Sequence, residues 1–322
     1  MKPRICSTLF VLAATLSMPA AHAYPIDGYE ETGIRRVEGA RLANEGLVKG
    51  SKQPPGALLT TEQVDLRLLD HRDLDLPEPD AQFTAELLKL LGSNAGSYGV
   101  AVLDLSSPDN PRYAEHRGDY RQNVGSVGKL VVALGLFQAL ADTWPDDTDQ
   151  RFRVLRDTLV TADEFSQSDH HKVRIFDVEN RKLTRRTIQP GDQGSLWEYL
   201  DWMLSVSSNS AAAMTMREAM LLRQYGREYP PSEAEIERFF KETPAKELTA
   251  LFQNTFFEPI RRNGLDLENL RQGSFFTRQG KRLVNGGGNS YGTARELMLL
   301  TLRMEQGRLV DEFSSRQIKR LL

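Results

Sequence analysis

Beyond Cys6 the 322-residue sequence contains no cysteine. That absence excludes disulfides, thiol nucleophiles and cysteine-bound metal from everything downstream. An excess of positive charge is missing too. With 41 Lys and Arg against 44 Asp and Glu, the net charge is −3, so neither nucleic acid nor an anionic membrane is an expected partner. Hydrophobic runs are short: only residues 5–20 and 130–141 stand out, and both fall below the roughly 20 residues that cross a bilayer. The first run follows Lys2 and Arg4 and leads into Ala21-His22-Ala23, the order of a secretory signal peptide cleaved after Ala23. A periplasmic or secreted protein with no transmembrane segment after cleavage of residues 1–23 is therefore expected. Removing Lys2 and Arg4 leaves 39 basic against 44 acidic residues, a net charge of −5 rather than −3.

Residues 24–80 are rich in Pro, Gly and charge, with Gln53-Pro54-Pro55-Gly56 and Leu76-Pro77-Glu78-Pro79 as breakers. One short alternating piece, Val64-Asp65-Leu66-Arg67-Leu68, interrupts them. This reads as an N-terminal extension wrapping the main body.

The second apolar run, 130–141, has Gln138 as its one polar side chain. A helix that is apolar all round is a buried helix. Ahead of it stands Val124-Gly125-Ser126-Val127-Gly128-Lys129. Ser126 would lie at the helix start, where free N–H groups and the helix dipole favour developing negative charge. Lys129, three residues on, shares its face. A serine hydroxyl needs a base to become a nucleophile, and a lysine with a pKa lowered by burial can be that base. The S-x-x-K pattern alone is weak, since a chain of this size carries roughly one by chance at ordinary composition. A capping serine beside a snorkelling lysine is the bland alternative.

Around this pair the periodicities predict a helix over 81–91, a strand over 97–105 returning over 112–116, and a second hairpin over 173–176 and 183–188. Ser195-Leu196-Trp197-Glu198 has the form of a capping box, with Glu198 reaching back to the helix start. The helix behind it stops at Ser205-Val206-Ser207-Ser208-Asn209-Ser210, and another begins at Ala211. Ser207 and Asn209 thus fall in a short turn between helices. Ser232-Glu233-Ala234-Glu235 is a second capping box, Thr243-Pro244 opens a further helix with proline at its first position, 264–289 reads as a loop, and Thr293 caps one more helix.

A helix-start serine and lysine followed by a serine and asparagine in an interhelical turn occur together far less often than either alone. The sequence resembles the penicillin-recognising serine hydrolases, most closely the class A β-lactamase group, on residues 98–105 as first strand, on Ser126 and Lys129, and on Ser207-Ser208-Asn209 followed by small residues. Tyr291-Gly292-Thr293-Ala294-Arg295-Glu296-Leu297 resembles the helix after that family's omega loop. The resemblance implies an α+β, β-lactamase/transpeptidase-like fold: an all-α domain (122–322) packed on an α/β domain with an antiparallel sheet, of which 81–121 would be the first part. It implies Ser126 as nucleophile, Lys129 as base, Ser207 as proton shuttle and Asn209 as the holder of Lys129. The implied partner is a small-molecule β-lactam or a peptidoglycan stem peptide ending in D-Ala, with no cofactor and no metal.

Three departures shape the expectation. Ser208 stands where class A has Asp. Within 265–285 the only acids are Asp266 and Glu268, and the residue four after Glu268 is Gln272, so no acidic base for deacylation is visible. No K-T-G or K-S-G follows the second motif up to Leu322, which leaves the α/β domain looking incomplete, with the inner face of its hairpin uncovered. Acylation is thus better supported than turnover. The contrasting expectation is a non-catalytic or truncated homologue acting as a periplasmic cell-wall-binding or partner protein. Asp169-His170-His171 reads as a polar loop rather than a metal site, Asn285-Gly286-Gly287-Gly288-Asn289 as a flexible surface loop, and Trp197 and Trp202 as core.

Overall fold

The Lys129–Thr143 helix is buried on every side from residue 131 to 140, as its composition demands. The computed structural model describes residues 28–50, 52, 60–61 and 63–322; the signal peptide over 1–23 and the 53–56 breaker lie outside the described residues. Among the described residues four helices pack on the buried one: Leu196–Ser205, Asn209–Tyr225, Ala245–Phe256 and the short Glu258–Arg262. In the Asn209–Tyr225 helix Ala211, Ala212 and Ala213 are all fully buried. Trp197 and Trp202 fill the same core, and the Trp202 indole N–H donates to the Arg174 carbonyl.

The Val100–Asp104 and Arg112–His116 strands pair antiparallel, Val100 opposite His116 and Asp104 opposite Arg112. On the hairpin lies the Ala81–Leu91 helix, capped by Asp80, and the Ala294–Glu305 helix also packs against it. Among the described residues every sheet has two strands. No residue of the Ala81–Leu91 helix is fully buried, and Leu90 is 86% exposed.

The extension is more regular than its composition suggested. Its Arg35–Asn44 helix packs on the Val173–Asp177 strand and buries Val37 and Leu42. Val64, Leu66 and Leu68 turn inward as their alternation predicts, and the backbone there binds Arg316, Lys319 and the Glu305 carbonyl. Two arginines lock the extension down: Arg35 onto Glu198 and Arg36 onto Asp201. Here the predicted capping box at Ser195 fails. Ser195 caps the helix by accepting from the Glu198 N–H, but the Glu198 carboxylate accepts from the Arg35 backbone and guanidinium instead of reaching back. A charged partner outcompetes a neutral backbone N–H for a carboxylate.

Glu198 is fully buried, and burial pushes its carboxyl up to about 7 although Arg35 pulls the other way. Its ordinary value is 4.5. Between these values the folded chain holds a proton that the unfolded chain has released, so stability falls as pH rises through that window. The melting midpoint is therefore expected to drop from pH 5 to pH 8, and less steeply in Glu198→Gln. Equal slopes in the two proteins would contradict this account of Glu198.

Two further elements differ from expectation. Pro244 is the cap of the Ala245–Phe256 helix rather than its first residue. The 264–289 stretch, read as a loop, contains a Leu270–Arg271 strand paired with Tyr291–Gly292 and an Arg278–Leu283 helix. Thr277 fixes that helix: its hydroxyl accepts from the Gly280 N–H and donates to the Phe165 carbonyl. The glycine-rich 285–289 is not a free surface loop either. A Cβ on Gly286 would sit 2.1 Å from the Gly273 carbonyl oxygen, and one on Gly287 would sit 2.2 Å from the Phe257 ring. Backbone thus packs on backbone here, with the Gly287 N–H donating to the Gly273 carbonyl at 2.7 Å.

Candidate active site

Ser126 lies in a 3₁₀ turn, Gly125–Gly128, that feeds directly into the buried helix. The turn leaves Ser126 exposed while Lys129, the first α-helical residue, is only 2% exposed. From the other side comes Ser207, whose φ of +59° is a left-handed backbone rarely adopted by a residue with a Cβ. Such a conformation costs about 1–3 kcal/mol and persists only where the surroundings enforce it. Its effect is to aim Ser207 and Asn209 at the same point.

That point is the Lys129 ammonium. Nζ lies 3.0 Å from Ser126 Oγ, 3.2 Å from Ser207 Oγ and 2.8 Å from Asn209 Oδ1. An ammonium has three N–H donors, and here each finds one oxygen. Over the same Nζ, at 4.3 Å from the ring centre, lies Phe276. Burial lowers the Lys129 pKa to about 8, against the opposing pull of Asp169. At pH 7 roughly a tenth of the lysine is then neutral and able to take a proton.

Ser126 and Asn209 open into a cleft of about 370 Å³, also lined by Gln272, Phe276 and Lys281. No carboxylate lines it among the described residues. Larger grooves, of about 430 Å³ beside Phe239 and about 610 Å³ beside Arg35, bring no comparable serine and lysine together. Gln272 is nearly buried; its amide donates to the Ser274 carbonyl, while Oε1 has no hydrogen-bond partner among the described residues. Gly128 makes room for it, since a Cβ there would stand 2.2 Å from that oxygen.

All four residues singled out in the sequence meet at one ammonium. Sequence reasoning missed Phe276, Lys281 and, behind the turn, Asp169. The last was visible only as part of a polar triplet. Its carboxylate accepts from the Ser208 hydroxyl and the Ser210 N–H, both at 2.9 Å, and from His171 Nδ1 at 2.6 Å. The backbone N–H groups of His170 and His171 donate to it as well. Although one donor atom each from Asp169, His170 and His171 lies within 4.8 Å of the others, both Asp169 oxygens are already filled by N–H and O–H donors. The triplet is a hydrogen-bond hub.

The fold is thus a helical body on antiparallel hairpins, with the Ser126 and Ser207 turns facing each other at Lys129. The chain belongs to the Beta-lactamase enzyme family, whose sequence profile matches residues 82–322. Two solved structures resemble it. One is a mutant of PBP-A as its acyl-enzyme complex with penicillin G, at 16% identity and a TM-score of 0.42 over 76% of this chain and 69% of that one. The other is PBP-A, at 17% identity and a TM-score of 0.41 over 75% and 68%. No curated protein matches the sequence.

Proposed function

We propose that this chain, exported by cleavage after Ala23, forms an acyl-enzyme at Ser126 with β-lactams or D-Ala-ending peptides. The observation that carries the reading is the convergence of Ser126, Ser207 and Asn209 on a buried lysine poised near neutrality. Neutral Lys129 takes the Ser126 proton as Oγ attacks the carbonyl carbon, and the carbonyl electrons move onto oxygen. The adjacent helix start favours that oxyanion. As the tetrahedral adduct collapses, the proton passes from Lys129 through the Ser207 hydroxyl to the leaving nitrogen. Asn209 keeps Lys129 in place throughout. With no carboxylate lining the cleft among the described residues to activate water, release of the acyl group is slow, which favours a penicillin-binding or D,D-peptidase type of site over a fast lactamase.

A fluorescent penicillin tests this on the intact mature protein. Labelling is expected in the native chain and none in Ser126→Ala; equal labelling of both would sink the reading and favour a binding role without bond formation. Lys281 is the only charged residue among the described residues lining the cleft. A carboxylate on the substrate would meet it. Lys281→Gln is expected to raise the penicillin concentration needed for half-maximal labelling by about tenfold, the worth of one exposed charge-assisted hydrogen bond. An unchanged concentration dependence would remove Lys281 from the account.

A further inference from the structure

Asp169 is brought to the site from the loop ahead of the Val173–Asp177 strand, 39 residues before the serine it binds. Its side chain is almost wholly buried, yet it stays ionised: its five hydrogen bonds outweigh burial and hold the carboxyl at about 2. Since an ionised carboxylate only accepts, His171 Nδ1 must carry the proton between them. Ser208 is placed by this contact. Its hydroxyl donates to Asp169 and accepts from the Ala211 N–H, capping the Asn209–Tyr225 helix, while Ser210 N–H donates to the same carboxylate oxygen. The two residues that touch Asp169 thus alternate with the two that touch Lys129.

We propose that Asp169 is the positioning residue of this site, a carboxylate supplied from a remote loop that clamps Ser208 and Ser210 and thereby forces Ser207 and Asn209 onto Lys129. The clamp accounts for the left-handed backbone at Ser207, which nothing in its own sequence favours. It also places a buried negative charge where its field reaches Lys129. The other ionisable groups at this place are Lys281 across the cleft, His171 hydrogen-bonded to Asp169, and His170 stacked on His171 at 4.3 Å. The role rests on the acyl-enzyme reading above, and its test separates the two.

Asp169→Asn keeps the shape and removes the charge. The ε-carbon of Lys129, followed by NMR in protein carrying ¹³C-lysine, is expected to titrate at about 8 in the native chain. In Asp169→Asn that titration should fall, and the acid limb of penicillin acylation should move down with it. The plateau rate should drop at least tenfold as the turn relaxes. Adding Ser208→Asp, which returns a carboxylate to the turn and caps the helix, should recover most of the plateau and move the limb back up. Ser208→Asp alone, facing Asp169, should be slower than the native chain. A Lys129 titration unmoved by Asp169→Asn, or a double variant no better than the single one in fold and rate, would overturn the proposal. Native protein that never acylates would sink the acyl-enzyme reading instead, while the NMR titration would still decide the role of Asp169.

Discussion

Replacing Lys129 with methionine is expected to slow acylation of Ser126 by about 10²–10⁴, the usual worth of a positioned general base. The fold should survive, with the melting midpoint retained or raised, because an apolar chain of similar length replaces a buried ammonium. What is lost is the single atom on which Ser126, Ser207 and Asn209 converge. In the native chain the rate should rise with pH and level off above about 8, since only the neutral amine accepts a proton. In Lys129→Met that rise should vanish. Burst labelling at several pH values reads both effects, and a retained pH limb in the variant would mean that another group is the base.

The second large effect is expected at Phe276, as a gain. Its ring lies over the Lys129 amine, and the neighbouring Gln272 is neutral and cannot take a proton from water. Phe276→Glu would put a carboxylate beside the ester carbonyl and Lys129. Release of the acyl group is expected to quicken by about 10²–10⁴, seen as sustained hydrolysis of a chromogenic cephalosporin. The same carboxylate should raise the Lys129 pKa, so acylation at pH 7 should become slower while deacylation becomes faster. Opposite movement of the two steps distinguishes this mechanism from a general loosening of the site. Slower acylation without faster release would remove Phe276 as the obstacle to turnover.

The half of the site made by one chain segment was legible in the sequence. Ser126 and Lys129 are three residues apart at the start of a helix whose burial its own composition dictates; Ser207 lies in the turn between two helices, and Asn209 opens the second of them two residues earlier than the expected start at Ala211, because Ser208 is its cap. Local spacing encodes local geometry. Asp169, Phe276 and Lys281 were not legible as site residues, because each reaches the site from a segment without apolar periodicity and over a long sequence separation. Glu198 shows the same limit from the other side: its local signal was a capping box, and Arg35 from the extension overrode it. The Arg35–Asn44 helix itself, with few apolar positions, carries too little amphipathic pattern to announce a helix. In 285–289 the glycines signalled freedom, whereas the folded chain uses their missing side chains to pack backbone against Gly273 and Phe257.

That Ser126 is a nucleophile served by Lys129 is tested by the intact mass of the protein after penicillin treatment across pH 5 to 9, with the adduct located by peptide mapping. The expected result is one penicilloyl group per chain, carried on Ser126, formed at a rate that rises through about pH 8 and persisting long after excess drug is removed. No adduct, or an adduct mapped to another residue, would contradict it.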